Sequence, residues 1–189
     1  MPPTRAGRPV TAPIVRVERS ADRDAIRAVH AAAFGGPAEG QIVDDIRGTD
    51  RWVDGGSLVA DVDGAIVGHV LLSEGDLAPA DGGLVRRIWM VGPVAVIPVL
   101  QRRGVGRALM GAAIAFATER DQPLLVLVGH PSYYPRFGFE PARAIGIEPP
   151  RPWSDAAWMA LRLPAWDQSI RGVAHFPPAF HEERGGGAD

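Results

Sequence analysis

Apolar positions along this chain recur with two periods, and the switch between them outlines the elements. Ile14 to Val17 is a short β-like run. Asp22 and Asp24 follow where a helix N-terminus favours negative charge. Ile26, Val29, His30, Ala33 and Phe34 then form one stripe at helical spacing, which Gly35-Gly36-Pro37 ends. A second short helix is predicted from Ala38 to Arg47, with Ile42, Val43 and Ile46 inward. The period then drops to two. Ser57 to Val62 and Ala65 to Leu72 read as strands joined by Asp63-Gly64, a dipeptide suited to a tight hairpin turn. An exposed loop is expected over Glu74 to Gly83, and a long central strand over Leu84 to Ile97. Arg103 to Arg120 carries the clearest helical stripe: Val105, Leu109, Ala112, Ala113 and Phe116. Leu124 to Val128 is a continuous apolar run, as in a strand covered on both faces. Pro131 to Phe137 reads as a turn or short helix. Further strands are expected from Phe139 and over Trp158 to Leu163.

That order gives a mixed α/β domain with an antiparallel front half. The 189 residues suffice for one sizeable core and show no internal repeat. The expected organisation is a flexible N-terminus over 1–12, one domain over 13–165 and a tail over 166–189. Hydrophobic residues make up 46% and charged residues 22%, the balance of a soluble globular protein. The net charge of -2 argues against nucleic acid or an anionic membrane as partner. Lysine is absent, so arginine supplies every basic side chain. Cysteine is absent too, which excludes disulfides, cysteine nucleophiles and thiolate metal sites and fits a cytoplasmic protein. The histidines fall in no metal-ligand spacing, so no metal is expected. The N-terminus lacks the apolar core of a secretory signal, and no apolar run is long enough to span a bilayer.

The most informative stretch is Val94-Ala95-Val96 followed by Gln101-Arg102-Arg103-Gly104-Val105-Gly106-Arg107. A strand runs into a glycine-containing turn that opens a long helix. Backbone N–H groups at a helix start are unpaired and carry partial positive charge. Glycines let a phosphate approach them, and Arg102, Arg103 and Arg107 add fixed cations. The dinucleotide fingerprint fails because Leu109 stands where a small residue is needed, and the Walker pattern fails for want of lysine. The stretch resembles the coenzyme A motif of the GNAT acetyltransferase superfamily, Q/R-x-x-G-x-G/A. The resemblance implies a twisted, mostly antiparallel mixed sheet flanked by helices. It also implies backbone amides holding the pyrophosphate of acetyl-CoA, with Val94, Ala95 and Val96 pairing with the pantetheine arm.

A second stretch, Tyr133-Tyr134-Pro135-Arg136-Phe137-Gly138-Phe139, resembles the family's Y-x-x-x-G-F signature and follows in the family's order. The resemblance implies direct attack of an amine on the thioester. Tyr134 would protonate the departing thiolate, and Tyr133 would do so in a register shifted by one. A phenol with a pKa of about 10 is protonated at neutral pH and can donate. The Val96 N–H would polarise the thioester carbonyl. Two family features are missing: Met90 stands where many members carry a basic glutamate, and Leu127 where many carry a pantetheine-binding asparagine.

The base is therefore open among His130, near the tyrosines at a strand end, Glu39, in the helical region that shapes acceptor pockets in the family, and Glu74, just past a strand end. His69 reads as a packed or surface residue of its strand. The apolar tail His175-Phe176-Pro177-Pro178-Ala179-Phe180-His181 has three open uses: folding back on the core, covering the acceptor pocket, or joining a homodimer contact. The expected function is N-acetyl transfer from acetyl-CoA to a small-molecule or peptide amine. The alternatives are an acyl-CoA-binding sensor without turnover, and another phosphate-bearing ligand at the same turn.

Overall fold

The structure is a computed structural model that describes residues 12–180. The expected flexible start up to residue 11, His181 and the GGGAD end lie outside the described residues. Strand β1 is Ile14–Val17, followed by helices α1 (Arg23–Phe34) and α2 (Ala38–Ile46). Strands β2 (Trp52–Val62), β3 (Ala65–Ala78) and β4 (Arg86–Val96) come next, then helix α3 (Val105–Thr118) and β5 (Leu124–Val128). Short strands β6 (Glu140–Pro141) and β7 (Ile147–Glu148) precede β8 (Trp158–Arg162) and β9 (Gly172–His175).

The strands form one sheet in the order β1-β2-β3-β4-β5-β8-β6, with β9 added to β3 and β7 added to β9. Most pairings are antiparallel; β4–β5 and β7–β9 are parallel. The β4-α3-β5 passage is a crossover connection, which a parallel pair requires. Alternation assigns the two faces. Leu58, Ala60, Gly68, Val70, Leu72, Trp89 and Val91 face α3, while Ser57, Val59, His69 and Leu71 face α1 and α2.

Local chemistry explains the element ends. Gly35 adopts φ 80 and its N–H bonds the Ala31 carbonyl, closing α1 as the glycine pair predicts. Asp63 and Gly64 both have positive φ, as the tight hairpin turn needs. Asp22 does not cap α1 with its side chain; it accepts from the Arg19 N–H at 2.7 Å and pairs with Arg16.

Several expectations need correction. The loop expected over Glu74 to Gly83 is in its first half strand: β3 runs on to Ala78, because Gly75 and Leu77 are buried and the segment pairs with β4 and β9. Glu74 is consequently inside β3, 3.8 Å from Arg87, and not past a strand end. β2 starts at Trp52, earlier than Ser57, and β4 starts at Arg86 because Leu84 (96% exposed) and Val85 (59%) bury little. On α3 the buried positions are Val105, Leu109, Met110, Ala113 and Ala117, with Ala112 and Phe116 at the margin. The strand expected from Phe139 begins at Glu140 and is only two residues long. β9, unforeseen, lies in the stretch set apart as a tail. Beyond it, Phe176 packs on Trp153 and Trp158, and Phe180 packs against the α1/α2 core.

Candidate functional site

Strands β4 and β5 pair only at Trp89–Leu125 and Met90–Val126. Beyond Met90 they part. The cause is on β4: Val91 to Val94 spans three steps where Leu72 to Val70 on β3 spans two, so the segment around Gly92-Pro93 bulges. Gly92 has φ 137, which favours glycine. A bulge bends its strand and increases twist, turning the end of β4 away from β5.

The register then fixes where the β4 backbone points. The Ile97 N–H bonds the Val67 carbonyl, and Gly68 faces Val96. In an antiparallel ladder alternate residues face the same partner. Ala95 and Ile97 therefore face β3, and the N–H and C=O groups of Val94 and Val96 point to the other side, where β5 no longer pairs. The Val96 carbonyl there accepts from the Gln101 side chain at 3.1 Å, which ties the following turn to the strand end.

That turn contains the expected phosphate residues. Gly104, at φ 89, is the residue before α3, and Arg102 also has positive φ. The Ala108 N–H is the first to find its helical acceptor, the Gly104 carbonyl, so the N–H groups of Val105, Gly106 and Arg107 are left for a ligand or water. No acidic residue lies in the first turn. Arg102, Arg103 and Arg107 are all exposed, and among the described residues none forms an ion pair. Three cations beside a helix N-terminus oppose its dipole, and an anion placed there would meet both free N–H groups and fixed positive charge.

The second motif meets the first. A Cβ at Gly106 would lie 2.5 Å from the Tyr133 hydroxyl and 3.8 Å from Val96 Cγ2, so only glycine leaves room for that tyrosine. The Tyr134 ring lies similarly tight against Gly129, at the end of β5. Tyr133 and Tyr134 stack edge to face at 5.0 Å, with Tyr134 on Phe139 and Arg136 over Tyr133. Burial, then the neighbouring Tyr133, pushes the Tyr134 phenol up to about 12. It keeps its proton throughout the neutral range. Val94, Val96 and both tyrosines pack on the same α3-side core.

His130 is exposed just beyond β5, and Glu39 is half-buried in the first turn of α2; neither has a side-chain hydrogen bond among the described residues. Met90 and Leu127, where the family places glutamate and asparagine, are fully buried core residues.

Sequence reasoning missed a polar seam under the other face. Arg47 donates to both oxygens of Glu18 at 3.0 Å, and the Ser57 hydroxyl donates to Glu18 Oε2. Ser57 Oγ meets His69 Nε2 at 2.8 Å, and His69 Nδ1 meets His30 Nε2 at 2.8 Å. Among the described residues, two buried side-chain polar atoms have no partner: His30 Nδ1 and Ser73 Oγ. The signal available was a histidine within the apolar stripe of α1, since a buried polar group needs a partner.

The acetyltransferase (GNAT) domain family matches residues 15–142. The chain belongs to the GNAT acetyltransferase family. Among curated relatives, this GNAT protein is 32% identical over 169 residues to the uncharacterized N-acetyltransferase YjhQ of Escherichia coli K12, covering 87% of this chain and 91% of that one. Among solved structures, the GNAT family N-acetyltransferase YhbS from Escherichia coli, in complex with CoA, superposes with a TM-score of 0.81 at 26% identity, covering 93% of this chain and 95% of that one. A GNAT family acetyltransferase from Brucella melitensis in complex with acetyl-CoA gives 0.72 at 28% identity, covering 89% and 97%.

Proposed function

We propose that this GNAT protein transfers the acetyl group of acetyl-CoA to an amine, on a small molecule or a peptide. The observation that carries the reading is the backbone edge that β5 leaves unpaired among the described residues, Val94 and the Val96 N–H, which leads into the arginine-rich start of α3. An extended arm carrying amides can add to such an edge as a strand would, with its phosphates at the helix start. The complexes of YhbS with CoA and of the Brucella protein with acetyl-CoA support the same assignment. The residues proposed for the coenzyme are Val94, Ala95, Val96 and Gln101 through Arg107. The Val96 N–H polarises the thioester carbonyl.

Tyr134 is the proposed acid. Its raised pKa makes it a weak acid, so its hydrogen bond stabilises the developing thiolate and the proton crosses as the C–S bond breaks. Core packing of Met90 and Leu127 favours a second reading, a coenzyme binder without turnover.

Calorimetric titration with acetyl-CoA, with ATP and NAD as controls, tests the coenzyme site. Saturation by acetyl-CoA alone is expected; equal binding of ATP would replace it with a general phosphate site. Tyr134→Phe then separates enzyme from binder. It should lower turnover on an amine panel by about a hundredfold or more with coenzyme affinity kept. Absence of turnover in the parent protein would favour the binder.

A further inference from the structure

The seam between the sheet and α1 has a fixed direction. Carboxylate oxygens only accept, and both oxygens of Glu18 are engaged by Arg47, so Ser57 donates its hydroxyl proton to Glu18. The Ser57 oxygen is then free to accept, which places a proton on His69 Nε2 and leaves Nδ1 as a lone pair. His30 must donate from Nε2 into that lone pair. The remaining nitrogen, His30 Nδ1, is thereby an unprotonated acceptor, and it is the one that has no partner. This is the logic of a catalytic triad, where a third group holds an imidazole in its basic tautomer.

Position points the same way. His69 lies opposite Ala95, in the segment proposed to hold the pantetheine arm. α1, which carries His30, packs on β3 and β4. Ser73, whose hydroxyl is also buried without a partner, pairs with Met90, where β4 and β5 part. Phe34 stacks on His30, centroids 6.0 Å apart and planes 9° apart, and is 49% exposed while His30 is fully covered. Phe34 thus covers one face of the ring at the Gly35-Gly36 end of α1, and part of the cover over His30 must move before an acceptor reaches it.

We propose that His30 Nδ1, in place of the exposed His130 or Glu39, is the base that takes the proton of the acceptor amine, and that His69, Ser57 and Glu18 are positioning residues that hold its tautomer. The proposal rests on the acetyltransferase reading. As the amine nitrogen bonds to the thioester carbon, its N–H bond breaks and His30 Nδ1–H forms. The C–S bond breaks, and the CoA thiolate takes the Tyr134 proton. His30 then releases its proton to solvent, and Tyr134 recovers one from it. Burial pushes His30 down to about 4, so it is neutral at pH 7 with its lone pair available. Such a base suits an amine made acidic by bonding to carbon, and the acceptor enters as the free amine.

Nitrogen NMR of the full chain labelled at its five histidines tests the tautomer directly. His30 with Nδ1 unprotonated and Nε2 protonated is expected. In Ser57→Ala, which removes the oxygen that orients His69, a mixture of tautomers should appear at His30. The opposite tautomer in the parent, or no change in Ser57→Ala, overturns the proposal. Kinetics with propylamine, spermidine and an alanyl tripeptide form the second arm. His30→Gln should lower kcat about a hundredfold or more with KM for acetyl-CoA within twofold; kcat within threefold overturns it. If the parent binds acetyl-CoA but acetylates none of the three, the base role falls together with transfer, while the coenzyme site stands.

Discussion

The two faces of the sheet handle charge in opposite ways. At the start of α3, three exposed arginines have no acidic partner among the described residues, and backbone N–H groups are open. Under α1 and α2, Glu18 (9% exposed) and Arg47 (11%) are held in a continuous chain of donors and acceptors. The first region is the one proposed to be completed by the coenzyme; the second is complete except at one nitrogen. Substitutions should therefore damage folding on the α1 face and ligand affinity at α3.

The largest effect is expected from Glu18→Gln. It takes one of two carboxylates from the mostly buried Arg47 guanidinium, Asp44 being the other, and removes the charge that the Ser57 hydroxyl bonds; the expected loss is about 3 kcal/mol, the low end for breaking a buried pair. Urea unfolding of the variant and the parent measures it; a loss below about 1 kcal/mol would mean that water reaches this pair and that the faces differ less than their geometry says.

Acid should find the same face next. Burial lowers both His30, to about 4, and His69, from their ordinary 6.5. Between those values the unfolded chain binds more protons than the folded one. Stability is then full above pH 6.5 and falls as pH drops toward 4, by about 3 kcal/mol for His30 alone. The charged groups of the seam are Glu18, Arg47 and Asp44, which also pairs with Arg47; after burial, His30 and then Arg47 reinforce the shift at His69. Asp22, held low chiefly by the Arg16 hydrogen bond, contributes stability that is lost only below its ordinary 3.8. Unfolding midpoints across this range should slope between pH 6.5 and 4 in the parent and less in His30→Gln.

The same contrast governs what the sequence could reveal. The α3 site is made largely of backbone, so its requirements fall on consecutive residues: glycines where the chain must turn or be approached, arginines around them. Such a site leaves a motif. The seam is made of side chains from the β1–α1 connection, α1, the end of α2, β2 and β3, and no spacing rule links Glu18, His30, Arg47, Ser57 and His69. Helices and the main strands were legible because one face of each is apolar. The far half of β3 was not, since Glu74 and Asp76 alternate with Gly75 and Leu77 and read as a polar loop until β4 and β9 are seen to flank them. β9 itself is four residues that become a strand only because β3 offers an edge.

A substitution at the junction of the two motifs should have an intermediate effect. Gly106→Val places a side chain where the Tyr133 hydroxyl stands, 2.5 Å from the new Cβ, and crowds the helix start. Acetyl-CoA affinity should fall about tenfold or more, some 1.4 kcal/mol, while calorimetric unfolding shifts less than for Glu18→Gln. A variant that binds normally would detach Tyr133 from the coenzyme site.

The smallest effect is also the sharpest in sign. Arg107 lies in the first turn of α3, where a cation opposes the helix dipole, and among the described residues no carboxylate offsets it. In the empty protein, Arg107→Ala should therefore stabilise by a few tenths of a kcal/mol. With acetyl-CoA present the order reverses: the arginine faces phosphate charge, and the variant should bind about threefold to tenfold more weakly, a gap that narrows as salt is raised. Unfolding with and without coenzyme, at two salt concentrations, reads both signs in one series. If the alanine destabilised the empty protein, the arginine would be serving the fold, and the argument from unpaired charge at this helix start would lose its force.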